Sequence, residues 1–245
     1  MSDYSENSWA QHTQEQFIQS GAASAFMRQV YAIMAFGLAI TGLTAWYCGN
    51  YALDLLAIGK VPFWMVGGMR WIVMLSPLAF VLALSFGIQK MSYTVASLVF
   101  ALYSLVNGVA LSSIFIIYTG GSIASTFFVA AAMFGGMAIY GLTTKKDLTS
   151  WGSILIMGVI GLIVAGIINI FLQSSIFSFI QSVIGVVIFA GLTAYDAQKL
   201  MNYGLTADAN NEGVRKYAIM GALDLYLDFI NLFLYLLRLF GSRRD

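Results

Sequence analysis

Charged residues are scarce in this chain of 245 residues. Asp, Glu, Lys and Arg together make up 9% of it, whereas they make up about a quarter of an average soluble domain. Hydrophobic residues make up 60%. This balance excludes an ordinary soluble globular domain and predicts a polytopic membrane protein. The net charge is only +1 and no segment is rich in Lys and Arg, so we expect no nucleic-acid partner.

Metal-binding and disulfide-forming residues are also nearly absent. Cys48 is the only cysteine and His12 the only histidine. One cysteine excludes an internal disulfide and a zinc site built from cysteines. One histidine in a polar N-terminal segment cannot by itself form a metal site or a catalytic triad. The sequence therefore predicts no resident cofactor.

Seven apolar segments follow the polar N-terminus, and each is close to the length of about 20 helical residues that crosses a bilayer. The predicted spans are Val30–Tyr47, Trp71–Ile88, Thr94–Tyr118, Ile123–Leu142, Ile154–Phe171, Phe177–Leu200 and Tyr217–Phe240. The first residues have no basic start followed by an apolar core, so they are not a secretory signal peptide. We predict an all-α polytopic membrane protein, with a polar tail over 1–27 and a seven-helix transmembrane domain over 28–245.

Polar and small residues within these spans predict how the helices pack. Ser104 and Asn107 in the third span need hydrogen-bond partners inside the bundle, so this helix is expected to be well buried. Asn169 in the fifth span is expected to bond a neighbouring helix. Pairs of small residues four apart let backbones approach closely, and two such pairs occur: Ala131 with Gly135, and Gly161 with Ala165.

Lysine and arginine residues near the helix ends predict a cytoplasmic N-terminus. That side would receive Arg28, Lys90, Lys145, Lys146, Lys199, Arg215 and Lys216, against Lys60 and Arg70 opposite. Seven spans would, however, place Arg238, Arg243 and Arg244 on the non-cytoplasmic side, against the rule. Either the C-terminal tail escapes the rule because early helices usually dominate topology, or one segment is re-entrant.

The seventh span carries acidic residues inside an apolar helix. An Asp near the centre of a spanning helix costs about 2.5–3.5 kcal/mol on insertion scales, so Asp228 marks a functional site by default. The helical period collects one polar stripe, which consists of Tyr217, Gly221, Asp224, Asp228, Asn231, Tyr235 and Arg238. We expect this stripe to face something polar.

A second acid, Asp196, is placed by the prediction in the last turns of the sixth span, and Lys199 stands one turn later. A local ion pair between them is one interpretation. If Asp196 instead meets Asp228, the two carboxyl groups would hold a proton near neutral pH and titrate as one coupled unit. Once deprotonated they would offer hard oxygen ligands suited to Ca²⁺, with Asn231 assisting.

Three functions fit these acids. They could serve as ligands and sensor in a cation pathway with a protonatable gate, as a relay in a proton-coupled cation carrier, or as the acids of an intramembrane hydrolase. The hydrolase is the weakest. A YD pair occurs at Tyr195–Asp196, but the second acid lies in LYLDF without the GxGD pattern of intramembrane aspartyl proteases. We therefore do not expect an enzyme.

Two stretches resemble a known family. GLTAYDAQKL at Gly191–Leu200 and ALDLYLDFINLFLYLLRLFG at Ala222–Gly241 are similar to the Bax-inhibitor-motif family, and to its bacterial branch in particular. MRQVYAIMAFGLAITGLTAWY and YGLTTKKDLTSWG also look like that group, so the resemblance covers nearly all of the hydrophobic chain. It implies six helices surrounding the seventh, and a bacterial inner-membrane protein.

The resemblance also implies a pH-sensitive calcium leak channel. The two-aspartate sensor of the family carries over to Asp196 and Asp228, which would bind Ca²⁺ transiently as it passes. Asp224 is not part of that pair and is only a supporting candidate. A basic residue that latches the first aspartate in some relatives matches Lys90; Lys lacks the bidentate fork of Arg, so a latch would be weaker here. With the acids protonated or latched, the pore would be shut.

A regulatory or scaffold role is the alternative from a different class. Some bacterial relatives are associated with the control of membrane proteolysis, and the chain lacks a wide polar pore lining. In that case the expected partners are other integral membrane proteins such as a membrane protease, in addition to the lipid bilayer. Binding of a partner without ion flux would favour it over the channel.

Overall fold

The computed structural model describes residues 3–206 and 211–244, with side chains from residue 21 onward. The described helices are α1 (Asp3–Ala57), α2 (Gly67–Gly87), α3 (Tyr93–Leu111), the single turn α4 (Ile114–Ile117), α5 (Gly120–Thr143), α6 (Thr149–Leu172), α7 (Ser175–Thr206) and α8 (Glu212–Phe240). With α3 and α4 counted as one span, seven described helices are long and apolar enough to cross a membrane. The seven-helix, all-α prediction is confirmed, and the chain is an integral membrane protein.

The C-terminal helix α8 lies at the centre of the bundle. In its most apolar stretch 67% of the residues are buried, against 6–39% in the other spans. It packs directly against α1, α3, α5 and α7, while α2 packs on α3 and α6 packs on α7. The predicted arrangement of six helices around a central C-terminal helix is therefore confirmed. It explains why α8 tolerates acids, since little of it faces lipid.

The sixth span is longer than its sequence pattern predicted. α7 continues to Thr206 rather than ending near Leu200, so Asp196 lies ten residues, or about 15 Å, before the helix end. The prediction that placed Asp196 in the last turns was wrong, because the polar residues after Leu200 continue the helix instead of turning. The connection to α8 is correspondingly short, from residue 207 to Asn211.

The first helix begins before the predicted first span. The backbone is helical from Asp3 onward, and Ala23, Phe26 and Met27 are buried in the bundle. Packing therefore extends to the N-terminal side of the predicted boundary between residues 27 and 28. His12 and the other side chains of the first 20 residues lie outside the described part of the chain.

The polar residues that were expected to find partners inside the bundle do so. Ser104 and Asn107 on α3 are buried. The side-chain amide of Asn169 on α6 donates to the hydroxyl of Ser178 on α7 at 2.9 Å. The prediction is confirmed for Asn107 and Asn169, whereas the Ser104 hydroxyl donates to the carbonyl of Phe100 in its own helix at 2.9 Å. A second link on α7 is Gln198, whose side chain accepts from the N–H of Leu148 and donates to the carbonyl of Lys146, each at 2.8 Å.

The close helix contacts are not at the predicted small-residue pairs. A Cβ added at Gly135 or Gly161 would have no neighbour within 4 Å, whereas one at Gly141 on α5 would meet the backbone of Ala194 on α7. The pairs were wrong because spacing alone does not say which face of a helix meets its neighbour. The glycine that α5 needs lies at the crossing with α7.

A substitution at this crossing should therefore destabilise the bundle. We expect Gly141→Ala to lower the stability by about 1–3 kcal/mol, since the rigid backbone of α7 must shift to admit the methyl group. The measurement is thermal unfolding of the purified protein in detergent. Gly135→Ala on the same helix is the matched control and should melt at or above the wild-type temperature; equal losses in both variants would contradict the assigned crossing.

Candidate functional site

The polar stripe of α8 faces α7 along most of its length. The rings of Tyr217 and Tyr203 lie 3.9 Å apart between centroids, and Leu200 fills the position next to Gly221. Further along, Tyr235 stacks on Phe189 at 5.8 Å. These residues of the stripe therefore contact the same neighbouring helix, α7, because they lie on one face of α8.

A cavity of about 510 Å³ opens beside this contact, with walls from α2, α3, α6, α7 and α8. Most of the wall is apolar. The charged and amide side chains in it are Asn107, Asp196, Asp224, Asp228 and Asn231. On α8 the wall runs from Asp224 to Tyr235, which is about 16 Å along the axis, or half of a hydrocarbon core.

Asp196 and Asp228 meet in this cavity. Both are buried, with 8% and 4% of the residue exposed, and their side chains lie close enough to interact. Two ionised carboxylates are both acceptors, so a hydrogen bond between these two groups requires that one of them carries a proton. No amide, amine or hydroxyl group of the described residues donates to Oδ2 of Asp228. Two carboxyl groups from different helices are therefore buried together at the wall of one cavity.

Lys199 connects this pair to Asp224. Its amine lies 3.4 Å from Oδ1 of Asp196 and 3.7 Å from Oδ2 of Asp224, so it crosses from α7 to α8. The Lys199 side chain is 41% exposed and that of Asp224 is 36% exposed. At such exposure the Lys199–Asp224 ion pair stabilises the fold by only about 0–1 kcal/mol. Its effect is to place a positive charge beside the buried pair.

Lys90 does not take part in this site. It is exposed in the short 3-10 turn that follows α2, and the ion pairs found in the described part of the chain involve Lys199 instead. Near the end of α2, Lys216 donates to the carbonyls of Gln89 and Met91 at 3.4 and 3.2 Å. The cation next to Asp196 comes from its own helix.

Asn231 lies further along α8, in the same cavity wall. Its amide donates to the carbonyl of Leu227 in its own helix at 2.8 Å. The side-chain oxygen is therefore the group that Asn231 could offer to a cation. Within the described residues no group of three or more His, Cys, Asp or Glu side chains is placed to hold a metal.

A buried chain of hydrogen bonds lies next to the acids and was missed by sequence reasoning. Thr41 donates to the carbonyl of Ser104 at 2.8 Å, so its oxygen must accept from the Tyr226 hydroxyl at 2.6 Å. Asn107 donates to that hydroxyl at 2.7 Å. The chain thus runs from Asn107 through Tyr226 and Thr41 to Ser104. The polar residues of α3 indicated half of it, but Tyr226 lies off the polar stripe and gave no signal.

Comparison with known proteins shows the family to which the chain belongs. The model of the family described as "Inhibitor of apoptosis-promoting Bax1" matches residues 23–245. The chain belongs to the Bax inhibitor family. It is 49% identical to the inner membrane protein YbhL of Escherichia coli over 222 residues, which covers 89% of this chain and 92% of that protein.

Two further relatives come from distant bacteria. The chain is 43% identical to the protein RP147 of Rickettsia prowazekii, with 90% of each covered. It is 38% identical to the protein YrjE of Lactococcus lactis, with 91% of this chain and 93% of that protein covered. The family relationship thus extends over the whole bundle of seven spans.

The hydrogen-bond chain generates a test of the site's rigidity. In Tyr226→Phe the amide of Asn107 loses its acceptor and the oxygen of Thr41 loses its donor, so we expect a loss of about 1–3 kcal/mol. Tyr103→Phe is the control, because Tyr103 lines the same cavity and its ring lies 5.3 Å from that of Tyr226 between centroids, but it is outside the assigned hydrogen-bond chain. Thermal unfolding in detergent measures both, and equal effects would contradict the assigned chain.

Proposed function

We propose that this protein is a pH-sensitive, calcium-permeable leak channel of the bacterial inner membrane, gated by Asp196 and Asp228. The observation that supports the proposal is that two carboxyl groups, those of Asp196 and Asp228, are buried together at the wall of one cavity. An exposed ion pair would not require two carboxyl groups to be buried together. Buried carboxyl groups that must hold a proton change their charge, and therefore their contacts, as the pH changes.

A proton shared by Asp196 and Asp228 favours the shut state. While it is present, a hydrogen bond between the two carboxyl groups joins α7 to α8 at the centre of the bundle. Once it leaves, the two carboxylates repel each other and Asp228 has an oxygen without a donor. Carboxylate and amide oxygens are the ligands that Ca²⁺ prefers, so Asp196 and Asp228, with Asn231 beyond them, would line the path of the ion.

An apolar layer supports the assignment of this arrangement to the shut state. Leu111 and Ile230 line the far wall of the acidic cavity and also a second, apolar cavity of about 90 Å³. Phe229 and Phe233 close that second cavity. A hydrated cation cannot cross such a layer cheaply, so opening must separate α3 from α8 at Leu111 and Ile230.

The location and orientation are part of the same proposal. YbhL is named an inner membrane protein, and we propose the same membrane for this chain. With the N-terminus in the cytoplasm, α8 begins on the cytoplasmic side. The cavity would then face the cytoplasmic half of the bilayer with Lys199 and Asp224 at its mouth.

Calcium flux into liposomes that hold the purified protein tests the gate. We expect the wild-type flux to change several-fold between about pH 6 and pH 8, because a carboxyl pair that gains or loses a proton changes its charge and its contacts. In Asp228→Asn this pH dependence should be lost, because an amide cannot titrate. Asp54→Asn removes an exposed carboxylate at the end of α1 and should leave the wild-type curve unchanged.

Two results would overturn the proposal. A flux that depends on pH equally in Asp228→Asn and in wild type would remove the pair from the gate. No calcium flux from any folded form, with binding of another integral membrane protein retained in the double variant Asp196→Asn, Asp228→Asn, would instead favour a regulatory or scaffold function.

Lys199 provides a second test. We expect Lys199→Met to alter the pH at which flux changes, because the positive charge that favours the ionised form of Asp196 is removed. Lys145→Met takes the same charge from an exposed loop position and is the matched control. Identical pH profiles for wild type and Lys199→Met would show that Lys199 does not act on the pair.

A proton-coupled cation carrier is the second candidate, favoured by the apolar layer that ends the cavity partway through the bundle. A carrier would move protons against calcium in a fixed ratio, whereas a leak channel would not. Simultaneous recording of internal pH and calcium in the same liposomes separates the two functions.

A further inference from the structure

A second polar cavity, of about 650 Å³, lies at the opposite end of α8 from Lys199. It forms where the chain turns from α6 into α7 and where α8 ends. Its polar wall includes Asn169, Gln173, Ser175, Ser178, Arg238 and Arg243. Arg238 is ten residues beyond Asp228, or about 15 Å along the helix, so this cavity is separate from the acidic one.

The charged side chains of the described residues that line this cavity are basic. They are Arg238 and Arg243. The ion pairs of the described residues involve Lys199 at the other end of the bundle. Two guanidinium groups at one cavity favour a bound anion, and their planar donor sets match phosphate oxygens.

Backbone and side-chain contacts hold the two arginines at the cavity. Residues after α8 pair with the end of α4: Tyr118 and Arg243 form an antiparallel bridge, and the N–H of Arg244 donates to the carbonyl of Ile117 at 2.9 Å. The guanidinium of Arg238 lies 5.3 Å from the ring centroid of Tyr235. The two charges therefore belong to an ordered wall.

The opposite wall supplies neutral hydrogen-bonding groups. Gln173 caps α6 in the left-handed conformation, with φ of 49°, and directs the chain so that α7 begins at the cavity. The side-chain oxygen of Asn169 accepts from the N–H of Ser174 at 3.1 Å, and its amide donates to Ser178. These contacts fix the turn, and hydroxyl and amide groups suit the hydroxyls of a polar headgroup.

The edge of the cavity is apolar and faces lipid. Ile117 and Phe179 line it and are 47% and 60% exposed. In a spanning bundle, exposed side chains of this kind contact acyl chains, and the helix ends mark the level of the headgroups. Guanidinium groups at this level can bind the phosphate oxygens of an anionic headgroup bidentately.

We propose that this cavity binds the phosphate of an anionic phospholipid, with Arg238 and Arg243 on the phosphate oxygens and the acyl chains against Ile117 and Phe179. Free phosphate offers the same oxygens to the two arginines, but it has no acyl chains to contact the apolar edge. The proposal also accounts for two of the three C-terminal arginines that oppose the charge rule of topology, since Arg238 and Arg243 would be ligands of the lipid.

Native mass spectrometry of the purified full chain tests this site, with lipid supplied as phosphatidylglycerol or as phosphatidylcholine. We expect phosphatidylglycerol to bind at least about tenfold more tightly. The double variant Arg238→Gln, Arg243→Gln should lose that preference. The control Arg70→Gln, Arg244→Gln removes two charges at the same end of the bundle from residues outside the cavity wall and should keep it.

Three outcomes would overturn the proposal: equal binding of the two lipids, equal loss of preference in both double variants, or displacement of phosphatidylglycerol by equimolar inorganic phosphate, which would assign the site to the free ion. If the first double variant does not fold, Arg243→Gln alone serves, because Arg243 lies beyond the end of α8. The readout does not involve calcium, so it is independent of the proposed channel function.

Discussion

The cost of burying Asp228 is the constraint on which the rest of this structure depends. A carboxylate inside a membrane bundle must be protonated, paired or hydrated, and Asp228 has one oxygen that lacks a donor among the described residues. The fold accommodates it by placing α8 at the centre, away from lipid, and by bringing Asp196 to it from α7. The cavity then keeps the pair within reach of water, which a fully packed core would not.

The two ends of α8 carry opposite chemistry. Near its start, Asp224 and Lys199 are half-exposed at the acidic cavity, whereas near its end Arg238 and Arg243 line a positive one. Between them, Phe229, Ile230 and Phe233 pack against α3, α4 and α5 side chains around a small apolar space. Along α8, an apolar layer therefore separates the acidic half of the helix from its basic end.

Sequence reasoning found the parts of the site that conflict with a membrane environment. Asp228 and Asp196 are detectable because an acidic residue in an apolar spanning helix is energetically costly and therefore indicates a function. The spacing of Asp196 and Lys199 predicts their local ion pair, and the pair forms at 3.4 Å. The depth of Lys199 could not be predicted, because it depends on residues 201–206 continuing α7 as helix. Tyr226 was missed because a tyrosine among leucines looks like packing until its neighbours from α1 and α3 are in place. The crossing at Gly141 was missed for the same reason.

The hydrogen-bond chain through Tyr226 has a consequence for proton movement. A group relays a proton only if it can accept one on one side and release one on the other. The chain begins at the amide of Asn107 and ends at the backbone carbonyl of Ser104, and neither of these groups can do so near neutral pH. The polar layer between α1, α3 and α8 is therefore an insulator for protons despite its hydroxyl groups. The hydrogen-bond chain therefore supplies no proton relay to Asp196 and Asp228, and the cavity that both acids line is the open space next to them.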